Sequence, residues 1–260
     1  MGQRASALNP RGTSVDMTWF DAAVVAVSTM AGAVAAVTGF GIGSLLTPLL
    51  ALQVDTRVAV AAVSIPHVVG TAVRFWLLSH AVDRRVFWNF GLTSAAGGLT
   101  GAALQGWASN RWLTMVFGLL LLVAAISEVS GVTTRMRFRG PLAWIAGALS
   151  GLLGGLVGNQ GGLRSAALLG FGLSKTSFVA TATAVGLFVD AARMPVYLIA
   201  QHQELLAIWF PIVFATFGVA VGTLIGSRAL ARTPDVWFRR VLAAVLAILG
   251  ATMLVRGAIG

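Results

Sequence analysis

The sequence predicts an all-α polytopic membrane protein, with about eight full transmembrane helices plus two short half-helices in two internally repeated halves. Three observations carry this. Of 260 residues, 57% are hydrophobic and only 10% are charged, against about 25% charged in a soluble domain, whose surface needs charge for solubility. Residues 22–54, 86–110, 140–163, 205–227 and 241–255 hold no Asp, Glu, Lys or Arg. Sliding the chain along itself by 119 residues pairs Gly32 with Gly151, Gly39 with Gly158, Gly43 with Gly162 and Arg74 with Arg193. A helix needs about 20 apolar residues to cross a ~30 Å hydrocarbon core. Backbone in lipid must satisfy its polar groups within helices or closed barrels, and the alternating segments of about ten residues that mark barrel strands are not visible.

Taken in order, residues 1–18 form a polar segment with Arg4 and Arg11. The apolar run behind it is read as a first membrane helix, about Phe20–Thr38, because many further runs follow where a cleaved signal peptide would have none. Gly39-Phe40-Gly41-Ile42-Gly43 breaks that helix, and a short apolar piece, Ser44–Gln53, follows. Helices over about Thr56–Ser79, Val86–Gly106 and Trp112–Val129 complete a first membrane repeat, residues 19–132. A basic linker, 133–140, carries Arg135, Arg137 and Arg139. The second repeat, 141–260, reads Pro141–Val157, a glycine break, Leu163–Phe171, Ser174–Ala200, Leu205–Arg228 and Pro234–Arg256. The short pieces have about ten residues, roughly half a span at 1.5 Å per residue. Basic loops at Arg84-Arg85 and at Arg135–Arg139 in the first half, against Arg228, Arg232, Arg239 and Arg240 in the second, favour inverted over parallel halves.

The net charge of +10 comes from 18 basic against 8 acidic residues. Most basic residues lie between apolar segments, where positive-inside bias accounts for them, so nucleic acid is not an expected partner. The absence of cysteine excludes disulfides, thiolate metal sites and cysteine nucleophiles. No HExxH, phosphate-binding GxxxxGK[ST] loop or paired carboxylate site is present. The chain is therefore read as a non-enzyme with no metal and no cofactor.

The glycine breaks are the first functional candidates. At Gly39, Gly41 and Gly43, and at Gly158, Gly161 and Gly162, regular hydrogen bonding stops within an apolar stretch, which needs protein, water or a ligand to satisfy the freed groups. A helix restarting there aims its N-terminal amides at an anion. The competing reading is close packing through small residues, the reading preferred for the GxxxG spacings of Gly147–Gly155 and Gly218–Gly226. Asn159, Gln160 and Arg164 place two amides and a guanidinium within six residues. Each is costly in lipid, and Arg matches oxyanions bidentately; an internal network or a snorkelling Arg is the alternative. His67 follows Pro66 mid-helix and is a candidate proton relay or a hydrogen-bonded structural residue. Arg74 and Arg193, late in their helices, are candidates for substrate or coupling, or snorkelling anchors. Asp190 stands three residues before Arg193, an ion-pair spacing on a helix. Trp19, Trp76, Trp88, Trp107, Trp112 and Trp209 suit an interfacial belt.

Thr38-Gly39-Phe40-Gly41-Ile42-Gly43-Ser44-Leu45-Leu46-Thr47-Pro48-Leu49-Leu50 resembles the first glycine motif of the sulfite exporter TauE/SafE family, close to GFGGGLLxxPLL. Gly151-Leu152-Leu153-Gly154-Gly155-Leu156-Val157-Gly158 is similar to its second motif, and Gly222–Leu230 to the GxxxGxxLA of its penultimate helix. The likeness covers roughly residues 20–256, in the family's order. Asn159-Gln160 replaces the usual Ile-Gly and adds donors. The resemblance implies a secondary transporter for sulfite, an organosulfonate or a related small anion in a bacterial inner membrane, with a coupling proton or sodium as possible partner. One half would rock against the other around Asn159, Gln160 and Arg164. The alternative is a non-transporting membrane scaffold.

Overall fold

The computed structural model describes residues 19–130, 140–159, 161–229 and 235–259. The polar segment 1–18, Arg135, Arg137 and Arg139 of the linker, Gln160 and Arg232 lie outside the described residues. The elements are α1 (Trp19–Thr38), α2 (Ile42–Leu50), α3 (Thr56–Leu78), α4 (Arg84–Gln105), α5 (Asn110–Ser130), α6 (Pro141–Val157), α7 (Gly161–Leu169), α8 (Lys175–Ala200), α9 (His202–Ala207), α10 (Trp209–Ala229) and α11 (Asp235–Ile259), with a 3₁₀ turn at Ser79–Ala81. No strand occurs among the described residues. Six helices are long and apolar enough to cross a membrane, which makes this a multi-pass membrane protein. α4 opens on Arg84-Arg85 and α6 has 17 residues; neither is among the six.

Local chemistry sets the boundaries. α1 and α6 both end on a left-handed glycine, Gly39 at φ 83° and Gly158 at φ 74°, a conformation that costs any residue with a Cβ. The Gly39 amide bonds to the Ala35 carbonyl and the Gly158 amide to the Gly154 carbonyl, each at 3.0 Å. Asp83 caps α4 by accepting from the Val86 amide at 2.9 Å, and Ser174 caps α8 by accepting from the Ser177 amide at 3.3 Å. Pro141 opens α6 at a position where no amide is needed. The single helix expected from Leu205 is two, α9 and α10, parted at Ile208. The reason is Pro211, which lacks the amide that would bond to the Ala207 carbonyl and whose ring crowds that oxygen.

Glycine faces then decide which helices touch. Gly147, Gly151 and Gly155 of α6 lie against α4, where a Cβ on Gly155 would sit 2.6 Å from the Ala102 nitrogen. Gly218, Gly222 and Gly226 of α10 lie against α1, with Gly226 packed on Ala33. This is the close small-residue packing that lipid-embedded helices use. Buried side chains form two cores. Val86, Phe90, Ala146, Leu168, Val185 and Val189 join α4, α6, α7 and α8. The larger core is built mainly from α1, α2, α3, α5, α10 and α11.

The sequence halves are therefore interlocked. α1 from the first half pairs with α10 from the second, α6 from the second with α4 from the first, and α5 with α11. The expected rocking of one half against the other would have to part these three helix pairs.

The ends of the elements meet in a consistent way. Trp19 and Phe20 at the start of α1 line one cavity with Leu50 at the end of α2 and Phe210 at the start of α10. Thr56 of α3 shares a 2.6 Å hydroxyl contact with Thr114 of α5, and Arg256 near the end of α11 donates to the Ala51 carbonyl. At the opposite end, the Asp83 amide donates to Thr181 of α8 at 3.0 Å. The tryptophans expected in a belt are exposed near helix ends, Trp107 at 91%.

Candidate functional site

The two glycine breaks are in direct contact. Gly43, in the first turn of α2, abuts the Gly158 carbonyl, and Gly161 lies under the Phe40 ring. Gly41 turns at φ 127° and fits under Val34. Gly162 falls in the first turn of α7. At Gly43 and Gly161 the missing Cβ thus permits close approach, the packing reading, and the carbonyl of Gly39 is the backbone group of the breaks that meets cations.

Three guanidiniums gather beside this crossing, although lipid-embedded charge is costly. α3 turns His67, Thr71 and Arg74 inward, spaced for one helical face, and α8 turns Thr183, Asp190, Arg193 and Tyr197 toward them. Arg74 donates through Nη1 to the Ala35 carbonyl, through Nη2 to the Gly39 carbonyl at 3.5 Å, and through Nε to Thr183 Oγ1 at 2.7 Å. Arg193 donates through Nη1 to the Gly154 carbonyl and through Nε to Asp190 Oδ1 at 3.0 Å. Its Nη2 lies 2.8 Å from the same oxygen, and the guanidinium lies 5.8 Å from the Tyr197 ring centroid. Residue for residue, 74 to 35 and 193 to 154 are one bond made in each repeat.

The snorkelling reading of Arg74 and Arg193 does not match these positions, since both are buried, at 3% and 2% exposure. The physical reason is the breaks themselves. α1 and α6 stop inside the protein, and each cation adds a second hydrogen bond to a last-turn carbonyl that already accepts from its glycine amide, where positive charge also complements the helix dipole.

Asp190 is the sole buried carboxylate among the described residues. Its Oδ1 serves Arg193, while Oδ2 lies 2.6 Å from His67 Nδ1 and accepts from Thr71 Oγ1 at 3.3 Å. The single Thr71 hydroxyl hydrogen is shared between Asp190 Oδ2 and the His67 carbonyl. Asp190 is thus fully engaged.

Arg164 differs from the other two. It is 1% exposed and donates through Nη2 to the Gly39 carbonyl at 3.3 Å. Among the described residues its Nε and Nη1 have no hydrogen-bond partner, and neither has Asn159 Nδ2. Arg164 fits because residue 186 is glycine, whose added Cβ would lie 2.8 Å from Nη1. Gly186 is the repeat equivalent of His67, so one half offers a titratable ring where the other makes room for a cation. Three guanidiniums face one carboxylate here, leaving an excess of positive charge and unused donors in a buried place. Unpaired guanidinium N–H groups and net positive charge are the chemistry that matches an oxyanion.

Of the expected site residues, the structure brings Gly39, Arg164, His67, Arg74, Asp190 and Arg193 together, while Asn159 follows Gly158 on the second break with its Nδ2 buried. Thr71, Thr183, Phe40 and Tyr197 were not foreseen. The signal that could have found Thr71 is its spacing: it stands 119 residues before Asp190, the same offset that pairs the glycines and arginines of the two sequence halves. Tyr197 donates to the Gly155 carbonyl. It also lines a cavity of about 210 Å³ with Asp55, Arg57 and Glu204 near one end of the bundle. Gln105 and Gln201, joined at 3.0 Å, line the same cavity.

A protein-family model described as "Sulfite exporter TauE/SafE" matches residues 24–253, nearly the whole chain. No curated protein and no solved structure matches the chain.

Proposed function

Because the chain belongs to the sulfite exporter TauE/SafE family, a family of anion membrane transporters, we propose that it is a secondary transporter moving a small anion across a bacterial inner membrane. Sulfite, an organosulfonate or a related sulfur anion is the cargo. The observation that carries this is Arg164, buried at the crossing of the two breaks with two N–H positions unpartnered among the described residues. A scaffold that used its glycines for packing alone would have no use for an unsatisfied guanidinium in lipid, because leaving a buried donor unmet costs about 1–3 kcal/mol and more when charged. Arg164 and Asn159, with Gln160 between them in sequence, hold the anion. His67 and Asp190 are the groups available to a coupling proton.

The fold we propose has eight long helices and two half-length pieces, in repeats of 19–132 and 141–260. Each half takes an odd number of passes, because α2 returns to the end where α1 began. Ala146 near the start of α6 and Leu168 near the end of α7 share a core with Val86 at the start of α4, which supports the same hairpin in the second half. Odd passes make the halves inverted, the arrangement that supports alternating access. In this reading the moving bodies are two interlocked groups, α1–α3 with α10 and α4 with α6–α8, sliding along the α3–α8 contact.

Purified protein in liposomes, given a panel of radiolabelled anions under proton and sodium gradients, tests the proposal. Wild type carries at least one sulfur oxyanion, and Arg164→Ala lowers its flux by tenfold or more, with a smaller loss in Asn159→Ala. No flux of any anion sinks the transporter reading, and undiminished flux in both variants sinks the site.

A further inference from the structure

The charge of the buried cluster bears on how such a carrier must run. Asp190 neutralises Arg193 and has no oxygen left, since Oδ2 is taken by His67 and Thr71. Arg74 and Arg164 have no carboxylate. Their described partners are the Ala35 and Gly39 carbonyls and the Thr183 hydroxyl. Both guanidiniums converge on the single Gly39 carbonyl oxygen. Two like charges pressed together in a buried place repel one another and forfeit hydration. An opposing charge offsets this only if it is present while the site is closed to water.

Resting on the transporter reading above, we infer that Arg74 and Arg164 make the carrier an anion exchanger: it changes its facing only with an anion between them, so net one-way flux is much slower than exchange. The loaded carrier passes through its closed state with the pair compensated. The empty carrier would have to bury the pair bare, and that barrier restrains its return. A carrier whose cations all had internal carboxylates would return empty and show no such preference. Among the residues whose burial is described, the other acids, Asp21, Asp55, Asp83, Glu128 and Glu204, are not buried and lie on or beside the first or last turns of their helices.

Liposomes containing the wild-type chain, with potential clamped by a potassium ionophore, test this directly using radiolabelled sulfite. Uptake into vesicles preloaded with unlabelled sulfite should exceed uptake into empty vesicles by at least tenfold. Equal rates would overturn the inference and leave the transporter reading standing. Absence of flux in both, for sulfite and for every other anion of the panel above, would remove the transporter reading itself. Thr183→Asp supplies the missing carboxylate beside Arg74, whose Nε lies 2.7 Å from the present hydroxyl. In that variant the preference for preloaded vesicles should fall toward parity. A folded, transporting Thr183→Asp protein with an unchanged ratio overturns the assignment to this arginine pair. Where that variant does not fold, the wild-type ratio alone decides.

Discussion

Replacing Asp190 by Asn keeps the side chain's shape and removes the buried negative charge. In the native site the carboxylate lies within 3.0 Å of two Arg193 nitrogens and 2.6 Å from His67 Nδ1. With charge centres about 4 Å apart and an effective dielectric of ~20, the Arg193–Asp190 attraction is about 4 kcal/mol. Breaking a buried pair from one side typically costs about 3–5 kcal/mol, because the partner stays buried and uncompensated. The expected loss for Asp190→Asn is therefore about 3–5 kcal/mol. Equilibrium unfolding of the purified protein in detergent micelles reads it. The double variant Asp190→Asn/Arg193→Gln should lose less than the sum of the single losses, with a coupling of at least ~1 kcal/mol. A single-variant loss below ~1 kcal/mol, or strict additivity, would refute the reasoning. The carboxylate would then not be holding the cations in place.

Three further outcomes follow from local geometry and can be read in the same unfolding assay. Gly155→Ala drives a methyl to within 2.6 Å of the Ala102 backbone nitrogen and should cost about 1–3 kcal/mol by overpacking; Gly39→Ala meets no atom within 4 Å and should lose only the roughly 1–2 kcal/mol of a left-handed backbone. Tyr197→Phe keeps the ring beside Arg193 and deletes one hydrogen bond to the Gly155 carbonyl, for a loss of about 1 kcal/mol.

The residues that were legible in the sequence were those whose cost has no other explanation. A glycine cluster inside an apolar run announces a backbone that leaves the helix, and both breaks stand where the sequence placed them. Arg164 and Asp190 were visible because charge in lipid demands a reason. The arginine orientation was not legible. Arg74 sits late in an apolar helix whether it snorkels or turns inward, and only the position of the α1 carbonyls decides between the two. The contact of His67 with Asp190 was equally hidden, since nothing local to Pro66-His67 names a partner on α8. The repeat did contain the Thr71–Asp190 contact, encoded as a separation of one repeat length. Interlocking of the halves was invisible, because a glycine face states that a helix is close to another without stating which one. The split between α9 and α10 was available from Pro211, whose missing amide stops any helix running through it.

The pairing of α1 with α10 also sets an order of events during synthesis. Gly32, early in the chain, rests against Val219 and Thr223 near its end. When α1 first enters the bilayer, the helix that will cover its flank has not yet been translated. The group α4, α6, α7 and α8 can close as soon as α8 is made, since its members are nearer one another in the chain. Of the helices described, α1 is thus among the last to find its neighbour, and until then lipid or an insertion factor must occupy its small-residue flank. Contacts of such long sequence separation form late and slowly, and a chain truncated before α10 would leave that flank bare.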